Sequence, residues 1–199
     1  MDYNSRYSKK EFYWGTKPHN LVIESIKHLP TNAKVLDLGC GDGKDSFFLA
    51  KNNLEVTAVD ISKTGIKKLQ EFAKKEKLKI TADVSNVKSY LQDCEKFDAI
   101  FAMNVLQFID EKNIFNTIKE IQSRTKPNGL NVIASFVAET PKQKEMVLSK
   151  GRYSFDEGEL KELYKDWKII FYEEKLGDWE THGEPRHRHF RVKLIAQKQ

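Results

Sequence analysis

Val35-Leu36-Asp37-Leu38-Gly39-Cys40-Gly41-Asp42-Gly43 reads as a buried strand entering a turn with glycine at every second position, followed by a helix. Glycines at that spacing let a ligand lie against the backbone. Outward from this turn, β-rich runs recur at 34–38, 55–59, 79–82, 98–103 and 131–137, with helically spaced stretches between them. Strands alternating with helices imply a parallel sheet with crossover connections. Leu21, Ile23, Ile26 and Leu29 mark a helix stopped by Pro30, Ile66, Leu69 and Phe72 mark another that Ser62 can cap, and Ile114, Ile118 and Ile121 give a third apolar face. Lys126-Pro127-Asn128-Gly129 is a turn signal ahead of a strand, and Ser154-x-x-Glu157 reads as a capping box for a helix running to about Tyr164. The runs at 167–173 and 190–196 read as a hairpin closing one edge. The expected fold is α/β: a Rossmann-like, doubly wound seven-stranded sheet, mostly parallel with an antiparallel C-terminal hairpin strand, in one domain over residues 1–199.

Composition narrows the setting. A chain of 199 residues fits one core better than two, against a prior of roughly 150 residues per domain. Charged residues make up 32%, but 11% aromatics are too many for a disordered chain. The excess of Lys and Arg over Asp and Glu, 34 minus 29 or +5, is scattered rather than gathered in a stripe, so no nucleic-acid partner is expected from charge alone. The lysines of 63–77 and a pI of 9.0 keep an RNA-associated activity as a competing reading, although a charge run is usually a solvated helix face. Cys40 lies in the glycine turn, where a bridge to Cys94 would strain the backbone, so a reducing, cytoplasmic setting is expected. No apolar run approaches the roughly 18 residues of a membrane span, and no cysteine pair suggests a metal.

Three ligands compete for the turn. A nucleoside triphosphate needs four residues between its glycines and then Gly-Lys-Ser/Thr, whereas Gly39 and Gly43 enclose three and Asp45 follows Lys44. A dinucleotide needs its third glycine one place later, and Asp37 and Asp42 would put negative charge beside a pyrophosphate. A cation gains from those carboxylates, and S-adenosylmethionine offers a sulfonium, an ammonium and a ribose without phosphate. Val56-Thr57-Ala58-Val59-Asp60 supports it: an apolar strand ends in an acid able to accept both ribose hydroxyls. Ile80-Thr81-Ala82-Asp83-Val84 again closes on an acid.

Asp37 to Gly43 resembles motif I of the class I S-adenosylmethionine-dependent methyltransferases at every fixed position, and the stretch from Phe97 to Leu106 resembles their motif IV. The resemblance implies that Gly39, Gly41 and Gly43 line the cofactor with Asp37, and that Asp60 and Ile61 meet its ribose side. It further implies that Asp83 approaches the adenine amino group, that the Val84 N–H meets the ring, and that Met103 and Asn104 face the transferable methyl. The bland reading of a strand-end aspartate is a turn or cap former, and that of Met103 and Cys40 is core filler. From Phe12-Tyr13-Trp14-Gly15 through Phe155-x-x-Gly158-Glu159-Leu160 and Tyr164-x-x-Trp167 to Leu194-Ile195-Ala196, the chain is similar to the TehB-like tellurite-resistance methyltransferases. That likeness implies a hairpin loop offering His182 and Arg186 to an oxyanion, with His19 near the site and S-adenosylhomocysteine as the product.

The acceptor reads as small and anionic. Asn104-Val105-Leu106-Gln107 lacks the Asn/Asp-Pro-Pro-aromatic motif that holds a planar amino group, and residues 181–191 hold three histidines and three arginines. Strand alternation puts His187, His189 and Arg191 on one face and Arg186, Arg188 and Phe190 on the other. A solvated basic hairpin and a histidine metal site are the competing readings of that run, and a thiol or carboxylate acceptor and a noncatalytic cofactor-binding module are the competing functions. Tyr3, Tyr7, Phe12, Tyr13 and Trp14 lie within residues 1–19, a segment expected to cover the cofactor, with Trp14 in contact with it; plain aromatic packing of an amino-terminal helix is the competing reading.

Overall fold

The computed structural model describes residues 2–9, 11–177, 179 and 188–199. Its strands are β1 (Lys34–Leu38), β2 (Glu55–Asp60), β3 (Ile80–Val84), β4 (Phe97–Met103), β5 (Thr125–Phe136), β6 (Lys168–Leu176) and β7 (Phe190–Gln197). They form one seven-stranded sheet in the order β3-β2-β1-β4-β5-β7-β6. β1 to β5 pair in parallel, and β7 runs antiparallel to both β5 and β6. The expected architecture is therefore present. The chain winds outward from β1 to β3 on one side and returns beyond β1 to β4, so the turn after β1 sits where the strand order reverses, the place at which open α/β sheets bind ligands.

The helices are α1 (Tyr3–Tyr7), α2 (Asn20–Ser25), α3 (Lys44–Lys51), α4 (Lys63–Lys75), α5 (Val87–Asp93), α6 (Glu111–Ser123), α7 (Pro141–Leu148) and α8 (Glu159–Glu162). One face of the sheet buries Leu36, Leu38, Ile100 and Ile133 against Leu91 of α5 and Ile114, Ile118 and Ile121 of α6. The other buries Val35, Val56, Phe101 and Val132 against Leu21 of α2, Phe47 of α3 and Ile66 and Leu69 of α4. In α4 the exposed Lys63, Lys67, Lys74 and Lys75 oppose the buried Ile66, Leu69 and Ala73. Burying one such aliphatic side chain contributes about 1.5–3 kcal/mol, whereas a surface pair such as Lys67–Glu71 contributes about 0.2–0.5 kcal/mol. Packing, not charge, holds this helix.

Three local expectations are corrected. The first long helix stops at Ser25 and tightens into a 3₁₀ turn, Ile26–His28, before Pro30. Lys126 to Gly129 does not precede a strand but bulges within β5: the register with β4 passes from Phe97↔Thr125 to Ala99↔Leu130. Asn128 takes φ 63° there, and its N–H donates to the Lys198 carbonyl at 3.1 Å. The Ser154 capping box is absent because Phe155 pairs with Val137 beside β5. The Glu lies two residues later: Glu159 accepts from the Asp156 N–H at 2.9 Å, and Gly158 at φ 75° opens α8. No helix among the described residues is long and apolar enough to cross a membrane.

Candidate active site

The turn after β1 is pinned to the end of β2, since the N–H groups of Gly39 and Cys40 donate to the Val59 carbonyl at 2.7 and 3.1 Å. Gly39 takes φ 70°, and a Cβ there would lie 2.4 Å from Val105 Cγ2, so the turn can approach the end of β4 only as glycine. At Gly41, φ 60°, a Cβ would meet the Tyr7 hydroxyl at 2.7 Å. Gly43 opens α3. Asp60 stands at the tip of β2 with Oδ2 accepting from the Gly41 N–H at 2.9 Å and Oδ1 from the Ser62 N–H at 2.8 Å. Ser62 also caps α4 as expected, its Oγ accepting from the Gly65 N–H at 3.1 Å. Asp60 pairs in register with Val84 at the tips of β2 and β3; Val84 and Ile61, the residue after Asp60, are exposed apolar side chains, with Asp83 exposed beside them.

Acids dominate this corner. Asp37, Asp42 and Asp45 are all buried. Burial, then the Asp45 charge, pushes the Asp37 carboxyl up to about 7, although it accepts from Ser46 Oγ at 2.6 Å. Burial likewise raises Asp60 against the hydrogen bonds from Ser62 and Gly41. Asp42 serves the amino-terminal segment: Oδ2 accepts from the Tyr13 N–H at 2.7 Å and faces Lys68 Nζ at 3.4 Å, while buried Oδ1 has no partner among the described residues. Burial raises the Cys40 thiol well above its usual range, which leaves it a poor nucleophile, and both cysteines are free.

His19 caps α2, its Nδ1 accepting from the Leu21 N–H at 3.2 Å while its own N–H donates to Asp45 Oδ1 at 2.7 Å. Burial first, then the charges of Lys44, Lys193 and Arg191, lower it to about 4. It is neutral at physiological pH, with its proton on Nε2. Asn104 follows β4 at φ 55°, its N–H donating to the Ala134 carbonyl at 2.8 Å. Asn104 Oδ1, Gln107 Oε1 and Ser135 Oγ are buried near the ends of β4 and β5 without a partner among the described residues. Met103 is half-buried at the same end. His182, Arg186 and His187 lie outside the described residues. Of the basic run beside them, His189 stacks on Phe136 at 4.4 Å and Arg191 lies over the same ring at 5.6 Å, in keeping with their shared face, while Arg188 lies over Trp179 at 4.5 Å.

The aromatic start of the chain folds onto this edge. Trp14 Nε1 donates to the Tyr7 hydroxyl at 3.2 Å, and Tyr3 meets Phe108, just beyond β4, edge-on at 5.6 Å. The sequence marked these rings but not Asn4, whose Oδ1 accepts from Ser62 Oγ at 2.9 Å and the Thr64 N–H at 3.2 Å. A lone polar residue in a five-residue helix carries no periodic signal that could have found it. Among the described residues no group of three or more His, Cys, Asp or Glu could hold a metal ion.

Comparison with known proteins gives the same picture. Residues 2–195 match the family model described as "Tellurite resistance protein TehB". A probable S-adenosyl-L-methionine-dependent methyltransferase TehB of Haemophilus influenzae is 32% identical over 177 residues, covering 86% of this chain and 60% of that protein. A ubiquinone biosynthesis O-methyltransferase of Pelagibacter ubique is 36% identical over 104 residues, 52% of this chain and 42% of its own length. The crystal structure of TehB from Haemophilus influenzae superposes with TM-score 0.81 at 28% identity, covering all of this chain and 68% of that one. The chain thus spans about three-fifths of the length of the curated TehB relative.

Proposed function

The chain belongs to the TehB tellurite-resistance family, and on that premise we propose that it is an S-adenosylmethionine-dependent methyltransferase acting on a small, anionic acceptor of the tellurite or selenite type. The observation that carries the cofactor reading is Asp60 at the rim of the glycine turn, with the acids Asp42 and Asp45 buried behind it. A low-dielectric corner so acidic favours a sulfonium and an ammonium and repels a pyrophosphate. The residues present fit the group: Asp60 keeps acceptor capacity for a ribose diol, and Ile61 and Val84 offer exposed apolar surface for a purine beside Asp83.

When bound, S-adenosylmethionine supplies an electrophilic methyl that passes to the acceptor's lone pair as the sulfonium becomes a neutral thioether. Orientation and exclusion of water are what the protein adds. Met103 and Asn104, at the end of β4, flank the position of transfer. His19 presents a neutral Nε2–H, and Arg186 with His182 hold the oxyanion so that the lone pair lies in line. The segment 1–19, with Trp14, covers the cofactor. A second reading, transfer to a hydroxyl, thiol or carboxylate of an organic acceptor, is favoured by the likeness to a ubiquinone biosynthesis O-methyltransferase. Release of S-adenosylhomocysteine is to be measured with tellurite, selenite, a catechol, a thiol and a small carboxylate. Turnover with the oxyanions is expected. Turnover confined to the organic acceptors overturns the acceptor assignment, and none with any acceptor leaves a binding module.

A further inference from the structure

The amino-terminal helix and the ribose-binding acid belong to one closed ring of contacts. Asp60 Oδ1 accepts from the Ser62 N–H at 2.8 Å, and Ser62 Oγ donates to Asn4 Oδ1 at 2.9 Å. Asn4 and Tyr7 are both on α1, so the helix backbone is the next link. Tyr7 is 5% exposed, and its hydroxyl lies where a Cβ on Gly41 would come within 2.7 Å. The Gly41 N–H then returns to Asp60 Oδ2 at 2.9 Å. Asn4 Oδ1 also takes the Thr64 N–H at 3.2 Å, one of the donors that the first turn of α4 leaves unsatisfied. Neither end of α1 is loosely held: Tyr3 packs edge-on against Phe108, and Arg6 lies over the rings of Tyr3 and Tyr13 at 5.5 and 5.4 Å.

The ring has a chemical consequence. A carboxylate has about four lone-pair sites; the Gly41 and Ser62 N–H groups occupy one on each oxygen and the Ile61 N–H also acts on the group, so what is left is aimed by the ring. The glycine turn follows β1, between Asp60 and the end of β4, so a cofactor held by its ribose at Asp60 would run its other half along the turn, beside the Tyr7 hydroxyl. Burial keeps that hydroxyl protonated, and since it accepts from Trp14 its proton remains to be donated.

We infer that Asn4 and Tyr7 are a cofactor latch: Asn4, acting through Ser62, is a positioning residue for Asp60, and Tyr7 closes over the glycine turn against the amino-acid half of the cofactor. The inference rests on the proposed cofactor site and assigns it two residues from outside every motif. The test is equilibrium titration with S-adenosylhomocysteine and with adenosine, using the full chain. Asn4→Ala, at an exposed position, should weaken both ligands about tenfold, the loss of one charge-assisted contact's worth of alignment. Asn4→Asp keeps an oxygen for Ser62 and Thr64 at a helix N-terminus and should restore the affinity. Tyr7→Phe should weaken S-adenosylhomocysteine about tenfold and leave adenosine unchanged. Unchanged affinities in Asn4→Ala and Tyr7→Phe, equal losses in Asn4→Ala and Asn4→Asp, or equal loss of both ligands in Tyr7→Phe would overturn the latch. An Asp60→Ala variant that binds as tightly as wild type would instead overturn the cofactor site on which it rests.

Discussion

The two halves of the sheet's carboxyl edge are built on different principles. Around β1 and β2 the polar groups at the strand ends are held by main chain: the Val59 carbonyl fixes Gly39 and Cys40, and the N–H groups of Gly41 and Ser62 fix Asp60. Around β5 and β7 they are held by side chains from separate segments, with His19 from the start of α2, Arg191 from β7 and Phe136 from β5 brought together only by the fold. Main-chain geometry demands particular residues at particular spacings. Side-chain convergence demands only compatible chemistry, so on the proposed function it would leave room for the acceptor to vary while the cofactor stays the same.

Breaking the main-chain half should have the largest effect. On the proposed site, Asp60→Ala removes the carboxylate that would accept from the two ribose hydroxyls, each bond worth about 1.5–3 kcal/mol, so affinity for S-adenosylmethionine should fall at least about a hundredfold in calorimetry while the circular dichroism of the free protein is retained. Gly39→Ala comes next. Its Cβ must displace Val105 from a φ 70° backbone, and overpacking of this kind costs about 1–3 kcal/mol, so the melting temperature should drop by several degrees. Val105→Ala in the same chain should recover part of the loss; no recovery would show that the backbone rather than the contact sets the cost. If Arg186 holds the acceptor as proposed, Arg186→Lys keeps charge but loses the planar fork, and the acceptor KM should rise about tenfold with cofactor affinity unchanged.

The smallest effects are slopes against pH. Asp37 holds its proton to about 7 in the folded state and to 3.8 unfolded, so its share of stability is full below about 4 and is lost as pH rises through 7. His19 is lowered to about 4 from 6.5, so its share is full above 6.5 and is lost as pH falls toward 4. The two oppose each other between about pH 4 and 6.5. Relative to wild type, Asp37→Asn should therefore shift the slope of stability against pH upward across that window, and His19→Asn, which can still cap α2, should shift it downward, both measured by urea midpoints.

The same contrast explains what could be read from the chain alone. The alternation of strands and helices, the glycine turn and the acid ending β2 are local patterns with fixed spacing, and each stands where expected. Asp42 was legible as an acid in the turn but not as the anchor for the Tyr13 N–H, because the segment it holds lies 29 residues away. Asn4 and Tyr7 gain meaning only once α1 lies on α4 and the turn. The capping box failed because Ser154 and Glu157 satisfy the pattern as well as Asp156 and Glu159 do, and the pairing of Phe155 with Val137 decides between them.

Calorimetric titration of the wild-type protein with S-adenosylmethionine, S-adenosylhomocysteine and NAD⁺ tests the central claim most directly, since it sets a sulfur nucleoside against a pyrophosphate at the same acidic turn. Saturable one-to-one binding of both sulfur nucleosides, with no heat from NAD⁺, is the predicted result; saturable binding of NAD⁺ with neither sulfur nucleoside bound would contradict it.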